Sequence, residues 1–316
     1  MQQLRDRSLS ESKNTPAAPI PGCEWHLTDR CNYRCSYCCE SQGKRGKHRL
    51  GHASDAVIDA VLELLEQQES TWLVKFAGGE ETVHPRFERV WKRVADMGHD
   101  VAITTNFSFP LERWERLLDA TGERLSYITA SLHLEQVDVG RFIKKVIAVN
   151  RHPAAHDKIT VTSVVTEDNF KLLSEAWDTC SAADVPMELA RLKIDGSYVG
   201  YSPKIEETLA HNGLNNVDKL RDFDSYGTMC LTGHDFFIIK PDGHAYRCFT
   251  QPGQYNCLGN VLTGTFRLYG GARPCLSHKC TCTVPANRNL ILFENRASWH
   301  QVQTHKLAAL KQRLVR

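Results

Sequence analysis

From Gly22 to Lys193 the chain alternates short apolar runs with longer segments of helical periodicity, and no other feature limits its fold as strongly. The runs at 22–27, 71–77, 100–105, 126–132, 159–166 and 187–193 read as strands. The segments 53–67, 86–97, 111–120, 139–150 and 170–182 read as helices; in the first, Val57, Ile58, Val61, Leu62, Leu64 and Leu65 recur at helical spacing. Gly98 closes the second. Strands separated by single helices call for parallel pairing through right-handed crossovers, so the expected class is α/β. Periodicity alone does not say whether the sheet closes.

Directly after the first strand, Cys31, Cys35 and Cys38 stand in the spacing C-x3-C-x2-C, with Tyr37 just before the last. Three thiolates on one tight loop can hold three irons of a [4Fe–4S] cluster and leave the fourth iron free to chelate a small molecule. A site built for electron transfer alone normally supplies a fourth thiolate. The competing reading is structural zinc, since Cys35 to Cys38 by itself is a C-x2-C pair. The end of the second strand argues against zinc: it runs into Gly78-Gly79-Glu80, and then His84-Pro85. Glycines at a strand end let backbone approach a ligand closely, and the adjacent carboxylate can accept hydrogen bonds from an ammonium group.

With both motifs in these positions the chain resembles the radical S-adenosylmethionine (radical SAM) superfamily, whose hallmark is this cysteine spacing with an aromatic residue before the third cysteine. The resemblance implies an open partial (β/α)6 barrel with ligands at the C-terminal ends of the strands. It also implies a cosubstrate, S-adenosylmethionine, whose methionine amino group is held by Gly78, Gly79 and Glu80 beside Tyr37. Reductive cleavage of that cosubstrate then yields methionine and a 5′-deoxyadenosyl radical, which takes a hydrogen atom from an unactivated carbon. Flavodoxin or ferredoxin is the kind of electron donor such an enzyme uses.

Strand ends supply the other candidate residues. Thr104, Thr105 and Asn106 close strand three with groups able to hydrogen-bond cosubstrate or substrate, or to form a turn and helix cap. By alternation Ser131 and His133 share a face of strand four. In similar enzymes a hydroxyl near Ser131 contacts the ribose or carboxylate of the cosubstrate, while His133 is a candidate proton carrier or a structural histidine. Thr162, Ser163 and Thr166 on strand five are weaker candidates, and Arg191 on strand six can pair with a carboxylate. The basic run Lys44 to Arg49 reads as a solvated loop or as a mouth favouring an anionic substrate.

A second cysteine group lies beyond a stretch from Asp195 to Asp224 rich in Gly, Ser, Asn and Pro. Cys230, an apolar run at 236–239, the turn Pro241-Asp242-Gly243 and Cys248 read as a hairpin that brings the two cysteines to one end. The C-x12-G-x4-C run ending at Cys248 resembles the opening of the SPASM and twitch extensions, which bind auxiliary iron–sulfur clusters. Cys275, Cys280 and Cys282 are too few and wrongly spaced for a full SPASM block, so a twitch-like fold with one auxiliary cluster is expected. Cys230 and Cys248 would ligate it with two of those three, zinc being the alternative occupant. Cys257 reads as a ligand, a packed thiol or a hydrogen-atom donor. Cys23 and Cys180 read as buried apolar residues and Cys39 as a bystander thiol, although Cys39 and Cys180 join Cys257 as thiols able to return hydrogen should either face the substrate.

The expected organisation is a disordered lead over 1–21, the partial barrel over 22–195, a linker over 196–227, the auxiliary domain over 228–290 and a helical tail over 291–316. Lys and Arg total 39 against 37 Asp and Glu, a net charge of +2 that argues against general nucleic-acid or membrane-surface binding. No apolar run reaches transmembrane length and the lead has no hydrophobic stretch of a signal peptide. Twelve cysteines without an export signal point to metal or catalysis rather than disulfides, in an oxygen-sensitive cytoplasmic enzyme. Because the segment before Cys31 is short for a peptide-binding domain, the expected substrate is a small polar metabolite such as a sugar, aminoglycoside or nucleotide-linked sugar. Its expected fate is oxidation or epimerisation; a peptide or protein side chain is the alternative substrate, and a non-catalytic zinc-binding interaction protein the alternative class.

Overall fold

The computed structural model describes residues 20–38, 51–194, 197–212, 223–249, 256–280 and 282–314. The expectations for the first nineteen residues, for Cys39 and for the basic run lie outside the described residues. Six parallel strands follow the expected alternation: β1 (Gly22–Trp25), β2 (Leu73–Phe76), β3 (Asp100–Thr105), β4 (Leu125–Ser131), β5 (Ile159–Val165) and β6 (Met187–Arg191). Between them run α1 (Asp55–Glu66), α2 (Phe87–Asp96), α3 (Leu111–Thr121), α4 (Val139–Asn150) and α5 (Phe170–Ala182). Helix starts are set by side chains where the sequence supplies them. Ser54 Oγ accepts from the Val57 amide at 3.3 Å, and Asp138 accepts from the Arg141 amide at 2.8 Å, caps that contribute about 1 kcal/mol each.

The two faces of the sheet differ in chemistry. On the helix side Trp25, Phe76, Ile103, Ile128 and Ile159 stand in register across β1 to β5, each at 1 % exposure or less. Phe76 packs on Trp91 and Phe87 of α2 at 5.4 and 5.8 Å between ring centroids. Each such side chain stabilises the fold by roughly 1.5–3 kcal/mol relative to exposure. On the inner face the matching layer is Glu24, Lys75, Ala102 and Tyr127.

The C-terminal third departs from the expected organisation. The hairpin forms, as β10 (Phe236–Ile239) and β11 (His244–Tyr246) around Gly243 at φ +81°, and β12 (Cys257–Asn260) comes after it. Yet β10 pairs in parallel with β1, so these strands extend the main sheet to nine in the order β12-β11-β10-β1-β2-β3-β4-β5-β6. The all-apolar Phe236–Ile239, buried on both faces, suits such a central position.

The stretch expected to be a linker contains β8 (Ser197–Tyr198), which forms a two-stranded ribbon with β7 (Lys193–Ile194) just before it, and the helix α6 (Pro203–Asn212), whose Ile205 and Leu209 are buried. A separate small sheet joins β13 (Arg273–Pro274), β9 (Thr228–Cys230) and β14 (Ile291–Arg296), beside the short helix α7 (Thr283–Asn287). The tail thus begins as a strand before α8 (Trp299–Leu314).

Candidate active site

The C-terminal ends of β1 to β4 converge on the cysteine loop. Backbone leaving β2 docks on backbone leaving β1: Gly79 N–H donates to Thr28 O at 2.9 Å, and Glu80 N–H to Arg30 O at 2.8 Å. A Cβ on Gly79 would stand 2.1 Å from Arg30 O, and one on Gly78 only 2.9 Å from Thr28 O. The two glycines therefore serve first to let the cysteine loop lie against the end of β2, a close approach of backbone to backbone.

Glu80 is 1 % exposed. One carboxylate oxygen accepts from Thr82 Oγ1 (2.5 Å), Thr82 N (3.3 Å) and Thr105 Oγ1 (2.8 Å), the other from Asn106 N (2.6 Å). Burial pushes its pKa up, and the bonds from Thr82, Asn106 and Thr105 oppose that rise. Thr105, expected to meet the cosubstrate, is instead spent in the structure: it donates to Glu80 and accepts from Phe107 N at 3.0 Å. Asn106 is placed toward the loop, with Nδ2 2.8 Å from Asn32 Oδ1 and 3.8 Å from Cys31 Sγ.

The residues after β4 hold the loop from the other side. Tyr37 Oη and His133 Nδ1 are 3.2 Å apart with their rings stacked at 5.9 Å, and Tyr33 meets the same imidazole edge-on. Glu135, which sequence reasoning missed, accepts from the Ser36 amide at 2.7 Å and from the Ser36 hydroxyl. Burial pushes the His133 pKa down, with Glu135 opposing, so the imidazole is neutral at pH 7 and suited to a hydrogen bond with the tyrosine. Ser131 is half-buried on the inner face, in register with Thr162. Ser163 is turned the other way, donating to Leu132 O at 2.7 Å, and Thr166 ties the turn into α5 through Asn169.

Arg191 requires a correction. It shares the face of Val165, and its guanidinium is bound by both carboxylate oxygens of Glu206 on α6 at 2.8 and 2.6 Å. It anchors α6 rather than reaching toward the strand ends. Cys180 and Cys23 are fully buried in the main core, where burial pushes their thiols up to about 11 and about 12. Neither faces a substrate.

Sequence reasoning also missed a polar network inside the sheet. Glu24 receives Lys75 Nζ at 2.8 Å and His26 Nε2 at 3.0 Å, and His26 Nδ1 lies 3.0 Å from Lys240 Nζ. Burial pushes the Glu24 carboxyl up, but Lys75 and His26 outweigh it and hold it well below the usual carboxylate range. The signal was present as Glu24 and His26 interrupting an otherwise apolar strand. Glu81, next to the G-G-E motif, was missed too: it is fully buried, one oxygen accepts from Leu27 N at 2.9 Å, and the other has no hydrogen-bond partner among the described residues.

Among the described residues no three metal-binding side chains close into a preformed cage. The donor set nevertheless fits a cluster. Cys35 is 8 % exposed, and burial, then its neighbours Cys38 and Cys31, push its thiol up to about 12. Three thiols on one short loop require a cationic centre to be held as thiolates together. Cys31, Cys35 and Cys38 are the thiols that would hold a [4Fe–4S] cluster; the G-G-E turn docks on the backbone just before them, and Asn106 Nδ2 lies 3.8 Å from Cys31 Sγ.

Residues 25–155 match the model of the radical SAM superfamily. Those residues form a radical SAM domain. It is 25 % identical over 261 residues to the tungsten-containing aldehyde ferredoxin oxidoreductase cofactor-modifying protein of Pyrococcus furiosus, covering 71 % of this chain and 69 % of that one. To the mycofactocin maturase MftC of Mycobacterium tuberculosis it is 26 % identical over 234 residues, covering 70 % of this chain and 56 % of the relative. A structure of anSMEcpe with bound AdoMet and the Kp18Cys peptide superimposes with a TM-score of 0.55 at 14 % identity, covering 93 % of this chain and 98 % of that one, a likeness of fold. The protein is accordingly a radical SAM enzyme that uses a [4Fe–4S] cluster and S-adenosylmethionine.

Beyond the radical SAM motif, the structure draws the late cysteines into one region. Cys230, Cys280 and Cys282 are buried in a small cluster with Phe236 and Ile238. The Cys280 thiol is pushed up to about 12 by burial, with Cys275, Cys248 and Cys230 adding to the rise. Cys257 lies apart on the edge strand β12, its sulfur 3.4 Å from Gly259 N.

Proposed function

We propose that this radical SAM enzyme abstracts a hydrogen atom from a small polar metabolite, such as a sugar, aminoglycoside or nucleotide-linked sugar, and that the product is oxidised. One observation carries the reading: the inner face is walled with hydroxyls in register. Thr104, Thr129 and Thr160 form one row across β3 to β5, and Ser131 and Thr162 form the next across β4 and β5, continued on β6 by the carboxylate of Glu188. Such a wall offers many donors and acceptors at close spacing, which matches a polyhydroxyl or amino-bearing ligand and penalises an apolar one.

The cluster and cosubstrate, when bound, supply the hydrogen-abstracting radical. The chain's own residues set the geometry around it. Glu80 ties the ends of β2 and β3 together, Tyr37 with His133 and Ser36 with Glu135 hold the cysteine loop against β4, and the buried Glu24–Lys75 pair stiffens the inner wall. Cys230 and Cys248 with two of Cys275, Cys280 and Cys282 would hold an auxiliary iron–sulfur cluster, the electron acceptor that an oxidation requires. Epimerisation instead needs a thiol facing the substrate, which Cys180 cannot provide; Cys257 is the candidate among the described residues. A soluble one-electron donor such as flavodoxin or ferredoxin completes the scheme in the cytoplasm. No helix among the described residues is long and apolar enough to cross a membrane.

A peptide or protein side chain is the second reading, favoured by the similarity to a protein named as a maturase. Anaerobic turnover in D2O with a panel of sugars, aminoglycosides, nucleotide-linked sugars and peptides separates these readings. A polar metabolite lighter by two hydrogens supports oxidation, and deuterium at one carbon of an isomer supports epimerisation. Modification confined to peptides would overturn the metabolite assignment.

A further inference from the structure

We propose that Arg247 is the charge partner of the second, C-terminal thiol-held group, and that it sets that group's reduction potential through Thr232 and Cys230; this rests on the auxiliary-cluster reading above. Arg247 is 5 % exposed. Its guanidinium donates to Thr232 Oγ1 at 3.0 Å, Pro274 O at 2.9 Å, Arg273 O at 2.6 Å and Cys230 O at 3.4 Å. Every one of these acceptors is neutral, and among the described residues no carboxylate lies within ion-pair distance of it. An arginine cannot shed its proton to escape burial, so a buried guanidinium without an anion is costly.

The position of this charge identifies the anion. Arg247 directly precedes Cys248, and its acceptors include the carbonyl of Cys230 and that of Pro274, next to Cys275. Three thiol-bearing positions thus flank one guanidinium. Thr232 links it to sulfur: its hydroxyl accepts from Arg247 Nε and lies 3.3 Å from Cys230 Sγ. Thiols ligate metal as thiolates, so a four-thiolate cluster carries excess negative charge, which grows on reduction. A fixed positive charge beside it favours the reduced form.

The test uses the full chain carrying Cys31→Ala, Cys35→Ala and Cys38→Ala, reconstituted anaerobically with iron and sulfide, so that the remaining signal belongs to the second group. Its midpoint is read by redox titration monitored by EPR, alone and with Arg247→Gln, Arg247→Lys or Thr232→Val. Arg247→Gln should keep the iron but lower the reduced-to-oxidised ratio at fixed potential about tenfold, about 59 mV for a one-electron couple. Arg247→Lys, which loses the fork but keeps the charge, should remain close to the parent, and Thr232→Val should shift the same way as Gln by less. An unmoved midpoint with iron retained in Arg247→Gln overturns this inference alone. Equal loss of iron from the Gln and Lys variants makes Arg247 a structural clamp and overturns it too. A parent that binds zinc or no iron overturns the auxiliary-cluster reading and this inference together.

Discussion

Replacing Glu80 by Gln separates two roles that the G-G-E motif can play. If the carboxylate served only the methionine ammonium, the substitution would weaken cosubstrate binding and leave the ligand-free protein as stable as before. The structure predicts otherwise, because Glu80 is buried and accepts four hydrogen bonds from β3 and from its own turn. An amide nitrogen cannot accept. Placed at the second oxygen it would oppose the Asn106 N–H at 2.6 Å, which cannot rotate away, so Gln must turn its nitrogen toward Thr82 and Thr105. Those hydroxyls can reorient, but the Thr82 N–H then loses its acceptor.

Leaving one buried donor unpaired costs about 1–3 kcal/mol. At roughly 2–4 °C per kcal/mol for a domain of this size, the ligand-free Glu80→Gln protein should melt about 2–12 °C below the parent. Differential scanning calorimetry without cosubstrate measures this, and titration calorimetry with S-adenosylmethionine should show affinity falling as well. An unchanged melting temperature with only the affinity reduced would refute the argument that Glu80 ties β2 to β3.

Two further substitutions probe the same corner. Burial, and after it the charges of Glu80, Asp29 and Glu24, hold the Glu81 pKa well above its ordinary value despite the bond from Leu27. The native state therefore retains a proton that the unfolded chain releases, so this group's contribution falls as pH rises above the unfolded value near 4.5 toward the raised folded one. Glu81→Gln should raise stability at pH 7–8 and flatten its decline from pH 5, as urea midpoints across pH would show; an unchanged slope contradicts it. Gly79→Ala places a methyl 2.1 Å from Arg30 O, so it should displace the cysteine loop and lower bound iron and stability together. Full iron content with a parent-like melting temperature would show that the loop accommodates the methyl.

Much of the barrel was legible because its signals are local. Val139–Asn150 and Phe170–Ala182 are bounded as their periodicity and flanking residues imply, and Asp100–Thr105 likewise. What was not legible depends on partners distant in sequence. Nothing in Phe236–Ile239 says that it will join β1, more than two hundred residues earlier, because an apolar run is equally suited to a small separate sheet. Helix α6 was hidden in a polar stretch and is held by Glu206 on Arg191, a pair that no local pattern announces. The cysteine loop itself was readable, since thiol spacing is a local property, but its props were not: Glu135 reaches Ser36 across ninety-nine positions. The same holds for Arg247, whose burial comes from three strands that meet only in the fold.

The central claim is that Cys31, Cys35 and Cys38 hold a cluster at which S-adenosylmethionine is cleaved, separate from a second cluster in the C-terminal region. Iron, sulfide and zinc analysis of anaerobically reconstituted protein, with and without Cys31→Ala, Cys35→Ala and Cys38→Ala, tests it directly when paired with an assay for 5′-deoxyadenosine. About eight irons per chain in the parent and about four in the triple variant, with cleavage abolished only in the latter, is the predicted result. Cleavage that survives in the triple variant, or zinc in place of iron at the first motif, would contradict the account.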